Sequence, residues 1–469
     1  MLQDVFRNIS PLDHRYHATN PALWENLSLY LSENAYIKYE LMVESALTKV
    51  LARRGICSND VANEVAEACL QVTPEEVYRE EEKTKHNIRA LVNCIQRKVS
   101  DAAKPFVHFT TTSVDIMDTA SSLRYKEAAE KLILPSLLKL EKLLIKKALE
   151  FSRVVQIGRT HGQHAVPITF GFALAQYVSR LGHRIEKIRE SAKLLTGKIA
   201  GAVGAYNASS LFFDDPEDFE REILAELGLP PAEISTQIVP AEPLTDHIHF
   251  LVSAMGVIAN LSDDLRHLQR SEIAEVGEEF SREQVGSSTM PHKRNPWNLE
   301  HVKSLWKEFM PRMITLYLDQ ISEHQRDLTN SASGRFAPEI AAGLVLAGER
   351  LYNVIAKLNV DRGRMETNFA ESREMIMAEP LYILLAAAGH PDAHETIRQL
   401  ILQAREQNLP VNAVVSENKS LKKYLDKITP EQKEILADPH RYLGIAVKKT
   451  EKIAKTWTQI LHITAGENY

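Results

Sequence analysis

The chain has 469 residues, enough for about three domains at the usual size of about 150 residues each. Hydrophobic residues make up 44% of it and charged residues 25%, a balance that excludes a disordered chain and permits a large core. The formal charge of −6 arises from 56 basic and 62 acidic residues without a long run of either sign, so no extended basic surface for nucleic acid is predicted.

Glycine and proline are few, 19 and 20 residues, which favours long helices over many short strands. The longest near-apolar stretches fall short of the roughly 18 residues of a membrane span. The first ten residues contain an acid and no apolar core of a signal peptide. The three cysteines form no CxxC pair, so we expect them to be reduced and to serve in packing. These features together predict a soluble, cytoplasmic protein that does not bind a membrane.

Apolar residues recur at helical spacing in four segments, each of which predicts an amphipathic helix. The segments are 174–188, 251–268, 299–313 and 340–358. If residues 244–270 form one helix, it is about 40 Å long, so a bundle of long rods is expected. Residues 207–243 contain five prolines and predict a helix-poor, turn-rich excursion. Beyond Asn359 the predicted helices become shorter, with breaks at Gly389, Pro410 and Pro430.

The most informative motif is GSSTMPHKRNP at residues 286–296. Two prolines, a glycine and three small hydroxyl residues predict a loop, and by composition alone a plain surface turn is the commoner outcome. Its hydroxyls, two cations and amide can, however, supply a proton acceptor, an anion clamp and hydrogen-bond donors. The motif resembles the GSSxMPxKxNP signature of the aspartase/fumarase lyase superfamily, whose members eliminate fumarate from a succinyl adduct.

The resemblance implies roles for this catalytic loop, which we bound at 282–298. Ser287 would abstract the proton beside a carboxylate, with Ser288 as the competing candidate. Lys293 and Asn295 would stabilise the carboxylate as it becomes dianionic. Because serine is a weak base, Ser287 needs nearby positive charge to ionise, and the sequence offers Lys293.

A second motif covers residues 158–171 and reads by itself as a polar loop before a helix. It resembles the RTHGQxAxPxTxG stretch of the adenylosuccinate lyase branch of the superfamily. The resemblance makes His161 the general acid that protonates the departing nitrogen, Thr160 a binding residue, and Glu300 the glutamate that hydrogen-bonds the acid. His161 and His164 would also suit two metal ligands on one helical face, but no third ligand stands at a recognisable interval, so we expect no metal.

Residues 108–120 resemble the HxGxTSxDxxDTA segment of the same family. Thr112 and Asp115 have the spacing of a capping box that opens a helix, and the free N–H groups of a helix N-terminus bind carboxylates. The resemblance makes Thr112 and Ser113 binding residues for a succinyl carboxylate. Thr110 stands where the family has glycine, which alters the backbone approach to a ligand there.

Two N-terminal stretches resemble the nucleotide-processing members. Residues 10–16 match SPLDxRY, which implies that Arg15 and Tyr16 hold a nucleotide phosphate, a ligand that the arginine fork suits. Residues 85–87 resemble KHD, with Asn87 in place of aspartate. The lost carboxylate makes His86 less readily held as a cation, so we assign His86 and Asn87 to substrate binding or proton handling.

Two later stretches complete the resemblance. Gln237 occupies the TxQ position, where the amide contacts the succinyl group. Residues 325–335 resemble ERDLTxSxxxR, which implies that Arg326, Ser331 and Arg335 hold the phosphate and purine side of a nucleotide.

The resemblance implies an all-α fold of three helical domains, 1–111, 112–364 and 365–469. Four copies would form a homotetramer with a twenty-helix core and active sites shared between subunits. The implied reaction converts adenylosuccinate to AMP and fumarate, and the analogous succinylaminoimidazolecarboxamide ribotide to its free amide and fumarate, without a cofactor. Two alternatives stay open: a lyase or cycloisomerase of the superfamily with a non-nucleotide substrate, and an inactive structural paralogue.

Overall fold

A computed structural model describes residues 7–281, 283–284 and 286–463. Helices dominate it, and the strands form two small antiparallel sheets, which confirms the predicted all-α class. The helices are α1 (Pro21–Leu31), α2 (Glu33–Arg53), α3 (Asn59–Gln71), α4 (Pro74–Thr84), α5 (Asn87–Gln96), α6 (Ser113–Ala128), α7 (Leu134–Glu150), α8 (Phe170–Ala192), α9 (Pro216–Glu226), α10 (Glu242–Leu268), α11 (Trp297–Phe309), α12 (Arg312–Leu318), α13 (Ser333–Ala356), α14 (Arg362–Glu371), α15 (Arg373–Ile376), α16 (Ala378–Ala387), α17 (Ala393–Gln407), α18 (Val411–Glu417), α19 (Lys422–Leu425), α20 (Pro430–Ala437) and α21 (Ala446–Ile460). The strands are β1 (Val155–Thr160), β2 (Gln163–Thr169), β3 (Val276–Gly277) and β4 (Asn359–Val360).

The chain folds into two compact units, each assembled from separate stretches of the sequence. Unit 1 takes in the described residues up to 139 together with 183–259 and 302–350. Unit 2 takes in 140–182, 260–301 and the described residues from 351 onward. The predicted domain limits after 111 and 364 are a division along the sequence and stay a prediction.

The long helices follow the apolar stripes. Helix α8 buries Leu174, Val178 and Leu181, each at most 3% exposed, because residues three and four apart share one helical face. Helix α10 is unbroken over its 27 residues, which confirms the predicted long rod. Helix α13 covers most of the fourth stripe.

One prediction about these segments was wrong, and the helix-poor segment contains a helix that was not predicted. The third stripe is split, because α11 ends at Phe309 and α12 begins after Pro311, which lacks an N–H and clashes with the preceding turn. The excursion at 207–243 contains α9, whose N-cap Asp215 accepts the backbone N–H of Asp218 at 2.9 Å. Helix α9 packs on α2.

The helix breaks predicted after Asn359 are confirmed. Helix α16 ends at Ala387 shortly before Gly389, whose φ of +96° favours glycine. Helices α17 and α18 are separated by Asn408, Leu409 and Pro410, and α20 begins at Pro430.

The core of unit 1 holds the packing cysteines that the sequence predicts. Cys69 and Cys94 are 6% and 2% exposed within this apolar cluster, and burial raises the pKa of the Cys94 thiol. Cys57 is half-buried against the same cluster. Thiols of raised pKa are poor nucleophiles, so these cysteines serve in packing.

Helix α10 is, among the described residues, the one helix long and apolar enough to cross a membrane by length and composition. Its most apolar 18-residue window is 61% buried inside the protein. Burial of that extent is typical of a core helix of a soluble protein, so the feature is weak support for a membrane span.

Glu141 on α7 carries a buried carboxyl group that has no partner among the described residues. Its side chain is fully buried, and neither carboxyl oxygen has a hydrogen-bond partner within the described residues. Burial raises the pKa of this carboxyl well above 4.5. The unfolded chain therefore releases this proton at a lower pH than the folded chain, and folding loses stability as the pH rises through that interval.

We expect Glu141→Met to stabilise the protein at neutral pH by at least about 1 kcal/mol. Methionine has a volume similar to that of glutamate, and the substitution removes a buried polar group that has no partner. The gain should grow by up to about 1.4 kcal/mol per pH unit above pH 4.5 until the folded-state pKa is reached. Thermal unfolding at pH 5 and pH 8, at one protein concentration, measures both effects. Glu141→Gln is the control, since it removes the titration and keeps a buried polar group. Equal melting temperatures for wild type and Glu141→Met at pH 8 would contradict the expectation.

Candidate active site

The predicted acid His161 lies at the tip of a β-hairpin in unit 2. Strands β1 and β2 pair with Thr160 opposite Gln163, so His161 and Gly162 form the two-residue turn. Both have positive φ angles, +54° and +74°, which is the requirement of a type I′ hairpin turn. His161 and Thr160 are exposed. The expected loop before a helix is therefore a hairpin that leads directly into α8.

The alternative of two imidazoles on one helical face was wrong for the same reason. His164 lies on β2 opposite Arg159 of β1, whereas His161 lies in the turn between the two strands. Its Nδ1 is 2.6 Å from the hydroxyl of Ser372. Within the described ranges no group of three or more His, Cys, Asp or Glu side chains has the arrangement to hold a metal ion.

A buried carboxylate that the sequence did not single out anchors this hairpin. Glu275 is fully buried and accepts hydrogen bonds from Arg159 at 2.6 Å and from Gln156 at 2.7 Å, both on β1. Asn368 of α14 donates to the same carboxylate at 2.9 Å. The charged partner and the two amides satisfy the buried group, which holds β1 in place. A lone glutamate before β3 carried no signal of this role.

The catalytic loop closes on itself between Gly286 and Asn295. The Asn295 side chain donates to the carbonyl of Gly286 at 2.8 Å. A Cβ at position 286 would collide with the carbonyl of Lys293, so the close approach requires glycine. Lys293 is exposed. Within the predicted loop 282–298, residues 283–284 and 286–296 belong to no helix or strand, Trp297 and Asn298 already belong to α11, and positions 282 and 285 lie outside the described residues.

Ser287 and Ser288 differ in their surroundings. The hydroxyl oxygen of Ser287 accepts the backbone N–H of Met290 at 3.1 Å and, at 3.4 Å, that of Thr289. Ser287 is half-buried, whereas Ser288 is exposed. Donors directed at an oxygen stabilise its ionised form, so the geometry favours Ser287 over Ser288 as the base.

Glu278 fixes the end of the loop at the start of α11. Its carboxylate accepts the backbone N–H of Leu299 at 2.9 Å and the side-chain amide of Asn298 at 2.8 Å. Gln269 accepts the backbone N–H of Glu278 at 3.0 Å and donates to the carbonyl of Arg294 at 3.2 Å. These contacts tie both ends of the loop to the end of α10, although no motif in the sequence distinguishes Glu278.

The four residues predicted to perform the chemistry all belong to unit 2. Glu300 is exposed on the first turn of α11. Among the residues that the structure describes, no hydrogen bond or ion pair joins His161, Ser287, Lys293 and Glu300 to one another. The joint action of these four residues stays a prediction.

The succinyl-binding residues predicted from the sequence lie in unit 1. Thr112 is the N-cap of α6, Ser113 is its first residue, and Asp115 accepts the backbone N–H of Thr112 at 2.7 Å, as the capping box predicts. Asp115 is fully buried and forms an ion pair with the equally buried Lys198. It also accepts the backbone N–H of Ala200 at 3.1 Å, so it holds a loop against the start of α6.

The structure brings Gln237 and Arg326 together. The guanidinium of Arg326 donates to the side-chain oxygen of Gln237 at 3.3 Å, and the backbone N–H of Gln237 donates to the carbonyl of Gln325 at 3.3 Å. Asp118 of α6 accepts the backbone N–H of Val239 at 3.0 Å. Burial raises the pKa of Asp118 to about 6, against the opposing charges of Lys198 and Arg326.

The residues predicted for the nucleotide lie at helix ends and turns of unit 1. Arg15 is exposed in the helical turn Leu12–Tyr16, where Tyr16 is half-buried and burial raises the pKa of its hydroxyl. Arg335 is exposed on the first turn of α13, and Ser331 is exposed just before that helix. No ion pair of either arginine occurs within the described part of the chain.

His86 and Asn87 lie at the start of α5. His86 is the N-cap, and its Nδ1 accepts the backbone N–H of Arg89 at 3.3 Å. This contact gives one of the unpaired N–H groups of the helix start a side-chain acceptor. The Asn87 side chain donates to the sulfur of Met117 at 3.4 Å. The roles of His86 and Asn87 in substrate binding or proton handling stay a prediction.

Thr110 has an unfavourable backbone and an unsatisfied hydroxyl. Its φ is +65°, a region that disfavours β-branched residues, and its Oγ1 is buried without a hydrogen-bond partner in the described structure. We therefore expect Thr110→Gly to stabilise the protein by about 1 kcal/mol. Glycine relieves the energetic penalty of a left-handed backbone, and its larger loss of backbone entropy on folding offsets part of that gain.

Thermal unfolding measures the effect of Thr110→Gly. Thr111→Gly is the matched control: Thr111 is the next residue and does not have a positive φ, so its replacement should destabilise. A lower melting temperature for Thr110→Gly would contradict the strain argument.

Known proteins resemble the chain over nearly its whole length. It matches a family model described as Lyase over residues 14–308 and one described as Adenylosuccinate lyase C-terminal over residues 322–434. A protein named adenylosuccinate lyase from Archaeoglobus fulgidus is 33% identical over 97% of this chain and 99% of that protein. One named N-acetyl-S-(2-succino)cysteine lyase from Enterococcus italicus is 28% identical over 91% of this chain and 93% of that protein.

Among solved structures, the fold is similar to that of the 3-carboxy-cis,cis-muconate lactonizing enzyme from Pseudomonas putida. The TM-score is 0.80 at 24% identity, over 94% of this chain and 98% of the other. The fold and the lyase model together define this protein as an enzyme of the lyase class. Within that class, the chain belongs to the adenylosuccinate lyase family of the aspartase/fumarase superfamily.

Proposed function

We propose that this enzyme eliminates fumarate from adenylosuccinate, giving AMP, and from succinylaminoimidazolecarboxamide ribotide, giving the free amide. The observation that carries the proposal is the contact of Arg326 with Gln237 in the unit that also holds the N-terminus of α6. A guanidinium, an amide and the free N–H groups of a helix are the donors that a dicarboxylate needs. The exposed forks of Arg15 and Arg335 suit a phosphate.

In the proposed mechanism, Ser287 takes the proton from the carbon beside the carboxylate. The electron pair of that C–H bond forms the carbon–carbon double bond of fumarate, the C–N bond breaks, and His161 gives its proton to the departing nitrogen. Lys293 and Asn295 meet the charge that accumulates on the carboxylate. Glu300 would hold the imidazole of His161 through a hydrogen bond and raise its basicity.

We further propose that these groups meet in a homotetramer with a twenty-helix core and shared active sites. Unit 1 exposes large apolar side chains along α12, after it and at the start of α13. Ile314, Leu318, Ile321, Leu328 and Phe336 are 58% to 78% exposed. Exposed apolar clusters of this kind mark protein interfaces, and a second copy of this chain is the proposed partner. A monomer should be inactive, so an active monomer in a sedimentation-coupled assay would contradict the assembly.

The function is tested by mixing the purified enzyme with adenylosuccinate and quantifying AMP and fumarate by mass. N-acetyl-S-(2-succino)cysteine is the competing substrate, because the name of one relative indicates it. Equimolar AMP and fumarate support the proposal. Fumarate from the succinylcysteine alone would favour the non-nucleotide alternative, and no product from a folded tetramer with either compound would favour the inactive paralogue. We propose that the enzyme resides in the cytoplasm.

A further inference from the structure

Gln237 belongs to a segment whose place in the unit depends on contacts outside the segment. Residues 235–239 belong to no helix or strand. Within the segment, Thr236 and Ile238 exchange backbone and side-chain contacts, such as the bond from the Thr236 N–H to the Ile238 carbonyl at 3.1 Å. These local bonds shape a turn but do not fix its place in the unit, so the position of the Gln237 amide depends on outside contacts.

Asp118 supplies one of those contacts from within α6. Its Oδ2 accepts the backbone N–H of Val239 at 3.0 Å, two residues after Gln237. On the opposite flank of the segment, Gly204 approaches the carbonyl of Ser235 so closely that a Cβ there would collide with it. The segment is thus held by α6, by the loop that contains Gly204, and by the contacts of Gln237 with Gln325 and Arg326.

The face of α6 that carries Asp118 also carries Asp115, which shapes the predicted binding site for the succinyl carboxylate. Asp115 and Asp118 are three residues apart, so their side chains leave α6 on neighbouring positions of one face. Asp115 closes the capping box on Thr112 and pairs with Lys198, while Asp118 reaches the Gln237 segment. The two acids therefore fix both binding elements to a single rigid helix.

We propose that Asp118 is a positioning residue that places Gln237 relative to the N-terminus of α6 for binding the succinyl part of the substrate. The inference rests on the proposed function. Without the acceptor, the half-buried Val239 loses the partner of its N–H, and residues 236–239 lose their link to α6. A displacement of about 1 Å of a positioning group lowers activity by as much as about 100-fold.

The test compares Asp118→Ala, Asp118→Asn and the matched control Ser191→Ala, which removes a different buried hydrogen bond of unit 1, to His247. The readouts are kcat and KM for adenylosuccinate and separate affinities for fumarate and AMP. For Asp118→Ala we expect a loss of about 10-fold to 100-fold in fumarate affinity, with AMP affinity within about twofold of wild type. Asp118→Asn keeps an acceptor oxygen and should recover most of the loss. Ser191→Ala should change neither affinity.

Val239→Pro breaks the same bond from the donor side, because proline has no N–H, and provides a second route if Asp118→Ala does not fold. Wild-type fumarate affinity in either variant, or equal losses for fumarate and AMP, would overturn the inference. A wild-type enzyme that releases no fumarate from adenylosuccinate would instead overturn the proposed function, so the two failures are distinguishable.

Discussion

Replacing Ser287 with alanine is expected to lower kcat for adenylosuccinate by about 10³-fold or more. The hydroxyl oxygen of Ser287 accepts the backbone N–H of Met290 at 3.1 Å, and the loop also carries Lys293. In the proposed mechanism, backbone donors directed at this oxygen stabilise the ionised form that removes a weakly acidic proton. Because this oxygen acts on the substrate only as the C–H bond breaks, the change in KM should stay within several-fold.

Ser288→Ala is the matched control for this prediction, since it removes the neighbouring, exposed hydroxyl of the same loop. It should keep kcat within about tenfold of wild type, because its hydroxyl is not the one held by the backbone donors of the loop. Steady-state assays of fumarate release measure both variants, and binding of adenylosuccinate to Ser287→Ala shows that its site is intact. If Ser288→Ala loses activity while Ser287→Ala keeps it, the roles of the two hydroxyls are reversed.

The parts of the fold that the sequence predicted are those with a local signal. Helices α8, α10 and α13 carry apolar residues at helical spacing over many turns, so the buried face of each helix can be predicted from one continuous stretch of sequence. The break between α11 and α12 also had a local signal in Pro311, but the apolar stripe across it outweighed that residue. In α9 the signal was Asp215 followed by Pro216, a helix start that the surrounding prolines obscured.

The parts that the sequence did not predict depend on partners far along the chain. Asp115 and Lys198 form a buried ion pair across 83 positions. The capping-box spacing distinguished Asp115 as a helix cap, but nothing in the sequence distinguished Lys198 or indicated the pair. Glu275 likewise gains its role only when Arg159 and Asn368 reach it. The candidate site was found through motifs because its residues cluster in short stretches, whereas the groups that position those stretches are dispersed.

The hairpin that carries His161 was only partly predicted from the sequence, and its geometry determines how His161 should be replaced in a test of the general acid. His161 and Gly162 form the two-residue turn between β1 and β2, and β2 contains Pro167, which is unusual in a strand because proline removes a ladder donor. The turn has a consequence for mutagenesis: a replacement of His161 must tolerate a φ of +54°. Asparagine is the suitable choice, because it adopts the left-handed region more readily than other residues with a side chain.

We expect His161→Asn to lower kcat by about 10²-fold to 10⁴-fold, the usual contribution of a general acid. A general acid must be protonated to act, so the wild-type rate should fall as the pH rises through the pKa of that acid. This descending limb of the pH–rate profile should be lost in His161→Asn. His164→Asn is the control: it removes an imidazole from the same hairpin, where Nδ1 contacts Ser372, and should keep both the rate and the limb. A descending limb that persists in His161→Asn would assign the acid to another residue.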